Sequence, residues 1–173
     1  KNKNKDLSSY KDFICIPIVN EKKEIIDLQY NKNLITNKKN TVFLMAGGKG
    51  SRLMPLTKKT PKPLLKIKGI PIIEKIILNF KNQGFENFII SVNYLGYKIK
   101  NYLGDGKKLK VNISYINEKK YLGTAGSLSL IDFKKTFFPI IVANSDLISE
   151  IDYGNLISYH DKKKSELTIC GKN

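Results

Sequence analysis

From Thr41 onward, short apolar runs alternate along the chain with segments of helical periodicity. The apolar runs predict strands at residues 41–45, 88–92, 111–116, 137–143 and 167–170. The segments between them predict helices from Pro71 to Gly84 and at 97–103, 125–131 and 151–164. Near-continuous apolar strands are typical of parallel sheets whose two faces are both covered by helices. The chain is therefore predicted to form an α/β fold around a parallel sheet.

Residues 1–40 have a different pattern from the rest of the chain. Residues 13–19 predict a short buried strand, 20–23 a turn and 24–28 a second strand. Two strands of this size bury too little apolar surface to form a core alone. Residues 31–40 are polar and predict a linker. The predicted domain boundary separates residues 1–39 from residues 40–173.

A glycine-rich loop follows the strand at residues 41–45, with the sequence Ala46-Gly47-Gly48-Lys49-Gly50-Ser51-Arg52-Leu53. Its three glycines let the backbone approach a ligand closely and expose N–H donors to phosphate oxygens. Ser51 adds a hydroxyl and Arg52 a guanidinium group. Ligands of open α/β sheets bind at the carboxyl ends of strands, where this loop lies. The loop predicts a phosphate site, with an ordinary strand-to-helix turn as the alternative.

Two common phosphate motifs do not fit this loop. A Walker loop requires Gly-Lys followed by Ser or Thr, and here Gly50 follows Lys49. The dinucleotide motif requires a third glycine where Leu53 stands. The loop therefore supports neither a P-loop ATPase nor a Rossmann dehydrogenase.

A second feature is Lys62, which lies between Pro61 and Pro63. The prolines restrain the backbone and favour an extended conformation at this lysine. Most lysines of this chain are expected to be solvated surface residues. The rigid frame of Lys62 and its short separation from Arg52 make it a candidate phosphate ligand.

Lysine dominates the charge of the chain. Lys and Arg total 31 against 15 Asp and Glu, which gives a formal net charge of +16. Arg52 is the only arginine, although nucleic-acid surfaces favour arginine for bidentate contacts. The lysine excess, with abundant Asn and Ile, is typical of an A+T-rich coding sequence. We therefore expect no nucleic-acid partner.

The remaining composition narrows the protein's class. No apolar run reaches the roughly 18 residues of a membrane-spanning helix, so no membrane partner is expected. Two cysteines do not form a disulfide framework, and a cytoplasmic protein is expected. Cys15 and Cys170 lie in apolar runs and are predicted to be core residues. Without a further Cys or His pattern, zinc is not expected.

The motif from Gly47 to Thr57, followed after a short gap by Pro61-Lys62-Pro63, resembles the signature of the sugar-1-phosphate nucleotidyltransferases. The resemblance covers most of residues 41–173 and includes the segments 69–74, 91–94, 115–118, 122–126 and 143–146. It implies a Rossmann-like three-layer α/β/α nucleotidyltransferase domain. Residues 16–26 resemble the end of a CBS domain, so residues 1–39 are interpreted as a CBS remnant plus linker.

The family resemblance also implies roles for particular residues. It implies that the nucleotide phosphates are wrapped by Gly47, Gly48, Gly50, Ser51 and Arg52, and that Ala46 also belongs to the nucleotide-binding residues. Lys62 contacts phosphate at the reacting centre, and Gly123 and Glu118 approach the base. Asp146 binds Mg²⁺, and its place after an apolar strand suits a metal bridged to substrate phosphates. The alternative for Asp146 is a helix N-cap.

The resemblance implies Mg²⁺-dependent transfer of a nucleotidyl group from an NTP to a sugar 1-phosphate. The chain is similar to guanylyltransferases of mannose- or glucosamine-1-phosphate type, which favours GTP. A thymidylyl- or cytidylyltransferase and a non-catalytic regulatory or scaffold domain stay open as alternatives. The resemblance is compatible with a homo-oligomer and with adenine-nucleotide binding at CBS domains of the parent protein.

Two departures from the family pattern affect the predicted site. Ser145 stands where many relatives have Gly or Ala, and we expect it to hinder any close backbone approach there. The second metal aspartate and most sugar-contacting residues of the family lie beyond the point that matches Asn173. The chain is therefore interpreted as a fragment with an incomplete active site.

Overall fold

The computed structural model describes residues 15–30, 38–123 and 125–171. The chain divides into two compact units, Lys1–Asn37 and Lys38–Asn173, which places the division two residues before the predicted boundary. Predictions for residues 13–14, for most of the linker and for Thr124 lie outside the described residues. The CBS interpretation of the first unit stays a prediction.

The described part of the first unit is a β-hairpin, as the sequence predicts. Strand β1, Cys15–Val19, pairs antiparallel with strand β2, Ile25–Tyr30. The Asn20 side-chain oxygen accepts hydrogen bonds from the backbone N–H of Lys22 at 2.9 Å and of Glu24 at 3.0 Å. This Asx-type bonding stabilises the turn between the strands.

The second unit contains the parallel sheet. The strands of this unit are β3 Lys38–Ala46, β4 Lys66–Ile67, β5 Ile70–Pro71, β6 Phe85–Val92, β7 Asn112–Asn117 and β8 Ile141–Asn144. Its α-helices are α1 Ile72–Asn82, α2 Gly96–Leu103 and α3 Tyr153–Lys163. The strands β7, β6, β3 and β8 lie in that order, and every neighbouring pair is parallel. The predicted α/β class with a parallel sheet is confirmed.

The register of the sheet aligns the carboxyl ends of its central strands. Met45 on β3 lies opposite Ser91 on β6 and opposite Asn144 on β8. The residues that follow these strands therefore emerge at one edge of the sheet, which is where ligands of open α/β sheets bind.

Helix α1 buries one apolar face against the sheet. Its residues Ile72, Ile73, Ile76, Ile77 and Phe80 are buried, with the spacing expected of a helix packed on one side. Pro71 is the N-cap and not the predicted first helical residue. The reason is that Pro71 pairs with Lys66 in the small β4–β5 ladder, which holds its backbone extended at ψ 144°.

The described α-helices pack on a single face of the sheet. The buried cluster contains Val42 and Leu44 of β3 together with residues of α1, α2 and α3. Tyr153 of α3 stacks on Phe80 of α1 with ring centroids 4.0 Å apart. These helices form one covering layer of the predicted Rossmann-like α/β domain.

The other face of the sheet carries shorter segments. Ile90 and Val92 of β6 point into the buried cluster, so Ser91 between them points to the opposite face. The Ser127 hydroxyl lies 3.3 Å from the Ser91 hydroxyl on that face. Ser127 belongs to a 3₁₀ helix, Gly126–Leu130, where the sequence predicts an α-helix at 125–131. The backbone at Ala125 is non-helical and Ile131 is extended, so this segment ends after five residues.

Two predicted strands differ from the structure. Strand β8 begins at Ile141 and not at residue 137, because Pro139 has no N–H for a ladder and Phe137 and Phe138 are exposed. No strand forms at residues 167–170 in the described part of the chain, where Ile169 is 81% exposed.

Cys170 is exposed, so its prediction as a core residue is wrong. The side chain of Cys15 lies outside the described residues.

The described α-helices have between 8 and 11 residues. None of them is long and apolar enough to cross a membrane.

Candidate functional site

A cavity of about 700 Å³ opens at the carboxyl edge of the sheet. Every residue that the sequence predicts for the site lines it: Ala46, Gly47, Gly48, Gly50, Ser51, Arg52, Lys62, Glu118, Gly123 and Asp146. The individual roles of these residues stay predictions. The sheet register aligns the ends of β3, β6 and β8 and so brings together the residues that follow these strands.

The glycine-rich loop turns sharply between β3 and a short 3₁₀ helix, Ser51–Leu53. Gly50 has φ +63°, a left-handed conformation that L side chains rarely adopt. A Cβ at Gly47 would lie 2.6 Å from Oε1 of Glu118, so an alanine there would displace the Glu118 carboxylate. The loop therefore needs glycine at position 50 for its backbone shape, and glycine at position 47 leaves room for the Glu118 side chain.

Lys62 and Asp146, which both line the cavity, form an ion pair between Nζ and Oδ2. The side chains are 36% and 31% exposed, so the pair lies at the cavity wall in contact with solvent. Lys62 begins a 3₁₀ helix, Lys62–Leu64, which corrects the extended conformation predicted for it. The carbonyl groups of Pro61 and Lys62 accept hydrogen bonds from Leu64 and Leu65, at 2.8 and 3.0 Å, and these bonds close the turn.

Asp146 follows the end of β8, and its neighbour Ser145 anchors that end to β3. The Ser145 hydroxyl donates a 2.6 Å hydrogen bond to the carbonyl oxygen of Met45, and Ser145 is buried. The helix-cap alternative for Asp146 is wrong for the described helices, because α3 begins at Tyr153 with Asp152 as its N-cap. Asp152 accepts the N-cap hydrogen bond from the Asn155 N–H at 2.9 Å.

The carboxylate of Asp146 suits a metal that takes its other ligands from a substrate and from water. Among the described residues, no group of three or more His, Cys, Asp or Glu could hold a metal by itself. Mg²⁺ is commonly bound by one or two carboxylates together with substrate phosphates and water. Asp146 is suited to that mode, since its carboxylate faces the same cavity as the glycine-rich loop.

The segment after β7 forms another part of the cavity wall. Glu118 is only 6% exposed, and its Oε2 accepts a 3.4 Å hydrogen bond from the Leu122 N–H. The Asn93 side-chain amide donates to the Glu118 carbonyl oxygen at 2.6 Å. A buried carboxylate is thereby held at the cavity wall with acceptor capacity left for a ligand.

Several residues that the sequence analysis did not single out also line this cavity. Asn93, Tyr121, Ser127 and Asn144 are among them. Asn93 and Asn144 directly follow or end strands whose carboxyl ends reach this edge. That position in the sequence is the signal by which both asparagines could have been found. Tyr121 lies in a loop and Ser127 in the 3₁₀ helix Gly126–Leu130, and neither position carries such a signal.

The chain was compared with known protein families and structures. A family model described as nucleotidyl transferase matches residues 41–173. The mannose-1-phosphate guanylyltransferase of Mycobacterium tuberculosis is 31% identical over 126 residues, which cover 73% of this chain and 35% of that protein. The N-acetylmuramate alpha-1-phosphate uridylyltransferase of Neisseria meningitidis is 38% identical over 112 residues, which cover 64% of this chain and 48% of that protein.

The fold of the chain is also similar to that of solved structures. HddC from Yersinia pseudotuberculosis, complexed with GMP-PN, is 28% identical with a TM-score of 0.59, and the match covers 70% of this chain and 54% of that chain. This chain spans less than half the length of the two curated relatives. The family match over residues 41–173 and the shared fold confirm the resemblance carried by the glycine-rich loop: the chain belongs to the family of sugar-1-phosphate nucleotidyltransferases.

Proposed function

We propose that the protein transfers a nucleotidyl group from GTP to a sugar 1-phosphate, giving a GDP-sugar and pyrophosphate. The observation that carries this proposal is the cavity itself. It combines a glycine-rich loop suited to phosphates, the cations of Arg52 and Lys62, and the carboxylate of Asp146. This is the set of charges that a nucleoside triphosphate, a second phosphate and a divalent cation together require.

The proposed reaction is a substitution at the α-phosphorus. An oxygen of the sugar phosphate forms a bond to the α-phosphorus, and the bond from that phosphorus to the oxygen bridging it to the β-phosphorus breaks. Pyrophosphate leaves with the electron pair. Such a step needs alignment and neutralisation of charge more than it needs a strong general base.

Each charged side chain has a part in this proposal. The exposed N–H groups of the glycine-rich loop and the Arg52 guanidinium bind the phosphates that leave as pyrophosphate. Lys62 binds the phosphate at the reacting centre as a point charge. Asp146 holds Mg²⁺, which when bound neutralises negative charge on the phosphate oxygens.

The buried carboxylate of Glu118 supports guanine as the base. Two carboxylate oxygens accept hydrogen bonds, and guanine presents N1–H and an N2 amino group side by side. Uracil and thymine present a single N–H on the corresponding edge. The relative from Mycobacterium tuberculosis is a guanylyltransferase, and HddC is complexed with GMP-PN. UTP is the second candidate, because the relative from Neisseria meningitidis is a uridylyltransferase.

Pyrophosphate release by the full-length protein with Mg²⁺ tests the proposal. GTP, UTP, dTTP, CTP and ATP are each combined with mannose-, glucose-, glucosamine- and N-acetylmuramate 1-phosphate. We expect release with GTP and one sugar phosphate, and loss of release in Arg52→Ala and Asp146→Ala. Asp161→Asn, an exposed acid on α3, is the control for Asp146.

The result that contradicts the proposal is an absence of release with every pair from a folded protein. GTP binding measured on the same sample then separates an untested sugar from a non-catalytic domain. Release with UTP and not with GTP would instead establish the second candidate.

A further inference from the structure

The Lys62–Asp146 ion pair joins the two groups to which the proposed function gives opposite tasks. Lys62 is to bind a phosphate, and Asp146 is to bind a metal cation. In the structure the ammonium group of Lys62 contacts Oδ2 of Asp146. Each group therefore holds the position that the other's proposed ligand would take.

Both ligands of the proposed reaction must therefore compete with this pair. A divalent cation on Asp146 is repelled by an ammonium group in contact with the same carboxylate. A phosphate on Lys62 is repelled in turn by the Asp146 carboxylate. Binding of either ligand alone leaves one unfavourable contact, whereas binding of both replaces the ion pair by two favourable ones.

We propose that Lys62 serves as a tethered cation on Asp146, so that the nucleotide phosphates and the metal bind cooperatively. The proposal rests on the proposed function, since it takes from it the ligands of the two residues. A phosphate draws Lys62 away and frees Asp146 for the metal. The metal likewise draws Asp146 away and frees Lys62 for the phosphate. The linkage is reciprocal, as any coupling of two binding equilibria must be.

The surroundings of the pair allow this exchange by side-chain rotation alone. The backbone of Lys62 is fixed by Pro61, by Pro63 and by the 3₁₀ turn that it begins. The backbone next to Asp146 is fixed by the hydrogen bond from Ser145 to Met45. The side chains themselves are about one-third exposed, which gives the ammonium group room to move into the cavity.

Metal-free binding of inorganic pyrophosphate, measured by calorimetry in EDTA, tests the first half of the linkage. Asp146→Asn frees Lys62, and we expect it to tighten pyrophosphate binding about threefold, the range of partly exposed ion pairs. Simple relief of repulsion would also tighten binding. The same substitution is therefore made in the Lys62→Ala background, where the linkage predicts a clearly smaller gain.

Binding of Mn²⁺ to the nucleotide-free protein, followed by electron paramagnetic resonance, tests the second half. We expect Lys62→Ala to tighten Mn²⁺ binding, although it removes a residue of the proposed site. Lys49→Ala is the matched control, because Lys49 lines the same cavity and its loss changes the net charge equally. The gain in Lys62→Ala should exceed the gain in Lys49→Ala about threefold, as expected for a direct contact.

Two results would overturn the inference. One is an equal effect of Asp146→Asn in both backgrounds, and the other is an equal effect of the two lysine substitutions on Mn²⁺. Failure of the proposed function looks different. In that case the wild-type protein binds neither pyrophosphate nor GTP, with or without a divalent cation. Circular dichroism of each variant confirms that it is folded before binding is compared.

Discussion

The hydroxyl of Thr57 donates a hydrogen bond of 2.9 Å to the carbonyl oxygen of Gly50. Thr57 is completely buried, and a Cβ built on Gly50 would lie 3.0 Å from Cγ2 of Thr57 and 3.2 Å from Cβ of Lys62. The left-handed turn of the glycine-rich loop is thus held directly against the segment that carries Lys62. Thr57 joins the two phosphate-binding parts of the proposed site without lining the cavity itself.

Thr57→Val removes this hydrogen bond while keeping the side-chain shape. The Gly50 carbonyl keeps its 3.0 Å hydrogen bond from the Leu53 N–H, so we expect the loss of the Thr57 bond to cost about 0.5–1.5 kcal/mol of unfolding free energy. We expect the loosened loop to weaken GTP binding. Thr57→Ser keeps the hydroxyl but loses a buried methyl group, which costs about 1 kcal/mol of stability. Denaturant unfolding and calorimetric GTP titration of both variants separate the two effects. If the Ser and Val variants weaken GTP binding equally, the hydroxyl has no positioning role.

Ser145→Ala is expected to destabilise the protein through the end of β8. The substitution leaves the Met45 carbonyl without its side-chain donor, at a cost of about 1–2 kcal/mol in urea unfolding. Ser129→Ala is the control, since the Ser129 hydroxyl is exposed and bonds only within its own 3₁₀ helix. That control should change stability by less than about 0.5 kcal/mol. An unchanged or raised stability of Ser145→Ala would mean that this hydroxyl does not hold the end of β8 to β3.

Gly47→Ala and Gly48→Ala form a matched pair in the glycine-rich loop. A Cβ at position 47 would lie 2.6 Å from Oε1 of Glu118, whereas one at position 48 meets nothing within 4 Å. Because the end of the Glu118 side chain can move, we expect Gly47→Ala to displace the carboxylate more than to unfold the protein. Base recognition should then suffer more than phosphate binding.

The measurement for this pair is the affinity for GTP divided by that for inorganic tripolyphosphate. Gly47→Ala should lower this ratio about tenfold, the effect of losing a hydrogen bond to a charged group. Gly48→Ala should leave the ratio near that of the wild type, even if both affinities fall. A ratio that is unchanged in Gly47→Ala would remove Glu118 from base recognition.

The position of the site was predictable from the sequence, because carboxyl ends of parallel strands meet at one edge. Gly47 and Asp146 each follow an apolar run, so their meeting needed only the parallel arrangement of β3 and β8. The ion pair of Lys62 with Asp146 was not predictable in this way. It joins residues 84 positions apart and depends on the 3₁₀ turn at Lys62, which local sequence preferences did not predict.

The errors in the predicted fold have a common physical origin. Apolar residues at 137–138 and 167–170 predicted strands, yet a strand also needs a continuous hydrogen-bond ladder. Pro139 interrupts that ladder before β8, and residues 167–170 form none. The same limit applies to residues 125–131, whose apolar spacing fits an α-helix but which form a 3₁₀ helix. The burial of side chains and the pairing of strands depend on the whole fold, so local periodicity alone does not predict them.

The last prediction concerns Tyr102 on α2, whose hydroxyl donates a hydrogen bond to Oε2 of Glu74 on α1. This hydrogen bond, with burial and the Glu74 charge, raises the pKa of Tyr102 from 10.0 to about 12. The neutral phenol is therefore the form that the folded state stabilises. Its contribution to stability is complete below pH 10 and is lost as the pH rises through about 12.

Ultraviolet titration of tyrosine absorbance at alkaline pH tests this pairing. The titration curve of Tyr102→Phe is subtracted from that of the wild type, and the difference curve reports Tyr102 alone. The difference curve should have its midpoint near pH 12, and Glu74→Gln should move that midpoint towards 10, the usual pKa of tyrosine. The difference curve of Tyr97→Phe is the control, because Tyr97 lies on the same helix and is more exposed. A Tyr102 midpoint that does not respond to Glu74→Gln would mean that burial, and not the bond between α1 and α2, sets this pKa.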